Sequence, residues 1–182
     1  MTGLLCARQY FRDGNETEKA LAAKIDTLWR EMEWSWYQNG QDVLYWHWSP
    51  EYNWEMNFPL EGYNECLITY ILAASSPTYP IPASAYHNGW ARKGAIKSDA
   101  TAYGLPLILK HNGAEALGGP LFWAHYSYIG LNPKGLSDAY ADYWCGLNVN
   151  RKVLSFGFSP NAEVRGSINA HNELVIHYQE QS

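Results

Sequence analysis

A chain of 182 residues, 47% of them hydrophobic, carries enough apolar material for one domain with a packed core. Its net charge of −5 offers nothing to a polyanion, so a nucleic-acid partner is not expected, and no stretch approaches the length of a membrane span. Nine Trp and fourteen Tyr exceed what an ordinary core needs; all nine Trp, and every Tyr except Tyr178, lie at or before Trp144, which marks a compositional boundary near residue 145.

Leu4, Leu5, Arg8 and Phe11 recur at helical spacing, and Asp13-Gly14-Asn15 closes that segment. A second helix is expected over 16–37, with Leu21, Ile25, Leu28, Trp29 and Met32 as its apolar stripe. Of Trp34 and Trp36, which cannot share one face, at least one is expected to point to a cleft. Asn39-Gly40 is a turn signal. Residues 43–49 then alternate as a strand, with 51–58 as its returning partner. The clearest helix is expected at 63–75, burying Leu67, Ile68, Ile71 and Leu72. Ser75 to Pro82 cannot continue it. A short helix over 83–92, a strand over 103–110, a turn at Asn112-Gly113 and helices over 121–129 and 138–147 complete the series. Beyond residue 150, 153–158 and 173–178 are β-prone runs separated by turn-rich sequence.

Cys6, Cys66 and Cys145 are widely spaced and odd in number, so small buried hydrophobes are expected rather than a disulfide or zinc framework. There is no G-x-S-x-G elbow, phosphate-binding glycine loop or H-E-x-x-H pair. Met1 to Leu5 lacks the basic and apolar regions of an export signal.

The stretch 45–65 stands apart. Trp46, Trp48, Tyr52 and Trp54 supply aromatic faces, His47, Asn53, Asn57 and Asn64 supply hydrogen-bonding edges, and Glu51, Glu55, Glu61 and Glu65 supply carboxylates. Buried polar groups each need a partner, so a purely structural core rarely mixes all three classes. Sugars suit the mixture, because their C–H faces stack on rings and their hydroxyls need directional partners. An amphipathic hairpin with aromatic cross-strand pairs is the structural alternative.

The blocks Tyr45-Trp-His-Trp-Ser-Pro50, Trp54-Glu-Met-Asn-Phe-Pro59, Gly62-Tyr-Asn-Glu-Cys-Leu67, Leu72-Ala-Ala-Ser-Ser-Pro77, Lys110-His-Asn-Gly113 and 118–126 resemble the glucoamylase-like bacterial family. That family includes endo-β-1,2-glucanases and sophorose-releasing enzymes of glycoside hydrolase family 144. The resemblance covers about residues 2–150 and leaves the family domain's N-terminal part and second half without a counterpart. It implies a mainly α fold, a partial (α/α)6 barrel of about six helices, half a toroid, with short β-hairpins carrying the site. Residues 1–150 would form that partial barrel, and 151–182 a divergent tail of unknown role. An incomplete barrel leaves an apolar flank through which the chain could self-associate.

The resemblance places the family's general acid at Glu65; the residue pattern alone favours a plain first-turn helix residue there. The substrate would be β-glucan, plausibly β-1,2-linked, bound by Trp46, His47, Trp48, Tyr52, Trp54, Asn64, Lys110, His111, Asn112 and His125. His125 can equally be a satisfied core histidine. Glu51, Glu55, Glu115 and Asp142 are candidates for the second carboxylate, and spacing singles out none. No metal or organic cofactor is expected, since acid–base hydrolysis needs only water. Family members are usually exported, which implies a periplasmic or secreted location. A non-catalytic glucan-binding remnant is the alternative.

Overall fold

The computed structural model describes residues 1–111, 121–146 and 148, and the backbone of 162–168 and 174–180. Helix α1 (Thr2–Phe11) and helix α2 (Glu16–Glu31) form a helical hairpin. Asn15 starts α2 with a reciprocal capping box: its Oδ1 accepts from the amides of Thr17 and Glu18, and Glu18 Oε2 accepts from the Asn15 amide. Asp26 ties the two helices together, accepting from Arg8 on α1 and from Arg30 Nε at 2.7 Å.

Helix α2 stops earlier than the expected residue 37. Met32 is extended (ψ 113°), and a 3-10 turn follows at Trp34–Gln38. The break folds Trp34 back onto Trp29, with ring centroids 6.0 Å apart and both indoles buried, while Trp36 points outward. The stripe is also narrower than expected. Ala22, Ile25 and Trp29 are buried, whereas Leu21 and Leu28 lie on a flank and remain 44% exposed.

The expected strand pair over 43–58 does not form. Tyr45 meets Pro59 and Ser49 meets Asn53 as isolated antiparallel bridges, and turns fill the rest. Asn53 (φ 51°) and Asn57 (φ 40°) are left-handed, which bends the chain out of any pleat. Helix α3 (Leu67–Ala74) begins after Glu65, with Cys66 at its N-cap, so its start lies beyond the expected residue 63. It buries Leu67, Ile68, Tyr70 and Ala73.

A π-helical turn at Ala85–Trp90 occupies the short helix expected over 83–92. Gly89 lets it lie against the 42–43 backbone: a Cβ there would sit 2.8 Å from the Val43 side chain and 2.9 Å from the Asp42 carbonyl oxygen. Strands β1 (Thr101–Ala102) and β2 (Leu105–Pro106) make a minimal hairpin through Tyr103-Gly104, shorter than the strand expected over 103–110. Helix α4 (Leu121–His125) runs into a 3-10 turn at Tyr126–Ile129. The last expected helix starts only at 143, because Asp138 Oδ1 instead caps a turn by accepting from the amides of Tyr140 and Ala141.

Strands β3 (Ala162–Ile168) and β4 (Leu174–Glu180) pair antiparallel from Ala162↔Glu180 to Ile168↔Leu174. The β-prone run at 173–178 thus falls mostly in β4; that at 153–158 and the Asn112-Gly113 turn lie outside the described residues. The core joins Trp29, Trp34, Leu44, Leu60, Tyr63, Tyr70, Trp90 and Ile96 in one cluster. The described chain is therefore mainly helical, with short β pairs. Cys66 is half-buried, but Cys6 and Cys145 are exposed, contrary to their expected burial, because their helices turn them outward. No described helix is long and apolar enough to cross a membrane.

Candidate functional site

The loop 45–59 holds an aromatic surface. Trp36 lies 4.9 Å from Trp54 and 5.2 Å from Trp48, ring centre to ring centre, and Tyr45 and Tyr37 flank Trp54. Trp46 packs edge-on against Phe58 at 5.9 Å. The cluster is not sealed: Trp36, Trp46, Trp48 and Tyr52 are 42%, 58%, 36% and 67% exposed. Burying such rings is strongly favourable, so an open cluster of them is a candidate contact surface. His47 is exposed on the same loop, and Trp54 is half-buried beneath it.

The segment Gly62–Glu65 is pinned at nearly every residue. Gly62, in the left-handed region (φ 74°), donates its amide to the Trp90 carbonyl at 2.9 Å. The Tyr63 amide donates to the Lys110 carbonyl at 3.3 Å, and its phenol donates to the Ala124 carbonyl at 3.3 Å and lies 3.1 Å from the Tyr128 hydroxyl. Asn64 is buried and its Oδ1 accepts from the Cys66 amide at 2.8 Å, a local turn. Ser127 Oγ donates to the Glu65 carbonyl at 2.9 Å and accepts from the Ile68 amide at 3.1 Å. Glu65 itself is half-buried and precedes α3, so it is not the first-turn residue expected.

His111 lies under this segment, 1% exposed, with Tyr63 edge-on at 4.7 Å and Trp123 near-parallel at 6.4 Å. Burial pushes its pKa down to about 4, so its ring is neutral at neutral pH. It sits in the packing layer, whereas His47 lies on the surface. Lys110 and His125 are half-buried, and Asn112 lies outside the described residues. Burial also raises the pKa of the Cys66 thiol to about 11, with the neighbouring Glu65 charge adding to the shift, which keeps it protonated and unreactive.

Sequence reasoning missed a third group. Asp138 Oδ2 accepts from Tyr86 at 2.5 Å and Tyr143 at 2.8 Å, whose hydroxyls lie 2.8 Å apart. Burial opposes its charge, but these hydroxyls and the amides of Ala141 and Tyr140 outweigh it and hold its pKa below the usual 3.8. Next to it, the Tyr140 hydroxyl is 2.7 Å from His87 Nδ1. Of the candidate second carboxylates, Glu51 and Glu55 are exposed, Asp142 Oδ1 accepts from the Cys145 amide at 2.8 Å, and Glu115 lies outside the described residues. Among the described residues, no group of three or more His, Cys, Asp or Glu is placed to hold a metal ion.

The glycoamylase family model, described as "Putative glucoamylase", matches residues 57–155, more than half of the chain, including the pinned Glu65 segment. The chain belongs to the glycoamylase family. It is 41% identical over 161 residues to an exo β-1,2-glucooligosaccharide sophorohydrolase (non-reducing end) of Parabacteroides distasonis, a match over 78% of this chain and 22% of that protein. The endo-β-1,2-glucanase of Chitinophaga pinensis, solved with sophorotriose and glucose, superimposes with a TM-score of 0.83 at 54% identity, over 97% of this chain and 45% of that one. A β-1,2-glucanase of Parabacteroides distasonis gives a TM-score of 0.76 at 35% identity, over 99% and 29% respectively. The chain thus spans less than half the length of these glycoamylase-family relatives.

Proposed function

We propose that this chain is the glucan-binding and acid-bearing part of a glycoside hydrolase acting on β-1,2-glucan. The carrying observation is the open aromatic loop next in sequence to an acid whose backbone is fixed on both sides. In this reading Trp46, Trp48, Tyr52 and Trp54 stack on glucose rings, and His47, Lys110, Asn112 and His125 bond hydroxyls. Asn64 and His111 shape the floor beneath. Glu65 protonates the leaving oxygen, and a second carboxylate acts on water or on the anomeric carbon. The relatives named for β-1,2-linked substrates support that linkage.

The architecture belongs to the same proposal: residues 1–150 as about half of an (α/α)6 barrel, with 151–182 as a divergent tail. The flank of α1 and α2, where Leu4, Leu21 and Leu28 stay 43%, 44% and 44% exposed, is where a second copy would pack; sedimentation over a concentration series reads that out.

Glu65→Gln is the decisive variant, because it keeps size and hydrogen-bonding reach but cannot supply a proton. Turnover of β-1,2-glucan should fall by roughly two to four orders of magnitude. Oligosaccharide binding, followed by Trp fluorescence, should persist. Near-parental turnover would remove Glu65 from the acid role. A second reading, glucan binding without hydrolysis, is favoured by one observation: the aromatic loop is closed by its own hydrogen bonds within this chain, from Leu44 to Leu60, whereas no second carboxylate is singled out. Binding by a parent chain that releases no sugar would support it.

A further inference from the structure

We infer that Ser127 is a positioning residue for Glu65. This rests on the reading of Glu65 as the acid. Ser127 is 2% exposed, in the 3-10 turn that continues α4. Its hydroxyl spans the junction where the acid-bearing segment becomes helix α3, donating to the Glu65 carbonyl and accepting from the Ile68 amide. The Ile68 amide is among the first N–H groups of α3, which have no partner within the helix. The Glu65 carbonyl precedes the helix and has no place in its ladder. One side chain therefore satisfies both orphan groups and ties the Glu65 carbonyl to the first turn of the helix.

The other anchors hold different atoms of this segment. Asn64 Oδ1 holds the Cys66 amide, the N–H end of the same planar peptide whose carbonyl Ser127 holds, and the Tyr63 phenol holds the segment's N-terminal side. Removing the Ser127 hydroxyl would leave that peptide held at its N–H alone, so that its carbonyl end can swing about the remaining Asn64 bond. Proton transfer is steep in geometry, so a displacement of about 1 Å can cost on the order of a hundredfold in rate. Substrate binding by the aromatic loop would be untouched.

The experiment compares the full chain with Ser127→Ala, Ser127→Cys and Glu65→Gln on two substrates: β-1,2-glucan, and an aryl glycoside of a β-1,2-glucooligosaccharide whose phenolate leaves without protonation. Cysteine nearly keeps the volume of serine but is a weak donor and acceptor, which covers the case in which the alanine variant fails to fold. For the serine variants, kcat on glucan should fall roughly ten- to a hundredfold with KM nearly unchanged, while most of the aryl substrate's turnover survives. A merely structural role would lower both substrates together, because a less folded population is inactive on either. Equal losses on the two substrates, a change confined to KM, or parental rates on glucan would overturn the positioning role while leaving Glu65 intact. Parental rates in Glu65→Gln, or no turnover by the parent chain, would instead overturn the acid reading, and the Ser127 role with it.

Discussion

Acid should weaken this fold through His111. The ring is 1% exposed between Tyr63 and Trp123, and burial lowers its pKa from 6.5 to about 4. Between those values the unfolded chain binds a proton at this histidine and the folded chain does not. Stability is therefore full above about pH 6.5, falls as pH drops through the window, and stops falling from this source once the folded form also protonates near pH 4. The difference of about 2.5 units, at about 1.4 kcal/mol each, amounts to roughly 3 kcal/mol. That is a large share of the stability of an ordinary domain. Urea unfolding followed by Trp fluorescence across this range, in the parent and in His111→Gln, isolates the contribution. Gln stays polar but does not titrate, so the parent should lose about 3 kcal/mol more than the variant on going from pH 7 to pH 4. Parallel stability curves would show that the imidazole is solvated or protonated in the fold, and would refute its burial as a neutral base.

Gly89→Ala should destabilise the chain by about 1–3 kcal/mol, since its Cβ would sit 2.8 Å from Val43 with backbone rather than a flexible tip beside it; a midpoint unchanged in urea would contradict the close approach. Trp36→Ala should weaken oligosaccharide binding by roughly two- to tenfold, from lost ring contacts with Trp48 and Trp54, and titration calorimetry reads this directly; unchanged affinity would place the sugar elsewhere.

Local signals in the sequence were kept by the fold wherever the deciding interaction was also local. Asn15 with Glu18 starts α2, and Asn39-Gly40 turns the chain with φ of 47° and 69°. Alternation over 43–58 is a β signal only if the backbone can stay extended, and two left-handed asparagines, Asn53 and Asn57, prevent that. The start of α3 was misplaced because the hydroxyl that meets the Ile68 amide belongs to Ser127, 59 residues away. The same distance hid Ser127 from the candidate site: a lone small polar residue in the apolar run 121–129 was its only trace. Asp138 was hidden likewise, since Tyr86 lies 52 residues upstream. Trp46, Trp48 and Tyr52 were legible as candidate aromatic faces, but they are exposed on a loop rather than on the expected strand pair.

Tyr70 gives the aromatic loop a neck. Its phenol, with the whole residue 0% exposed, donates to the Leu60 carbonyl at 2.9 Å and accepts from the Leu44 amide at 2.9 Å, while the Leu60 amide reaches the Leu44 carbonyl at 2.8 Å. The ends of the excursion are thus joined by a residue that is not part of it. Replacements between 45 and 59 change what the surface presents without reopening the core, because the closure lies outside the varied segment. A scaffold arranged in this way separates inheritance of the fold from divergence of the ligand. Related chains could exchange the whole 45–59 segment as a cassette, trading one chain length or linkage preference for another, provided that the tyrosine at the neck is kept.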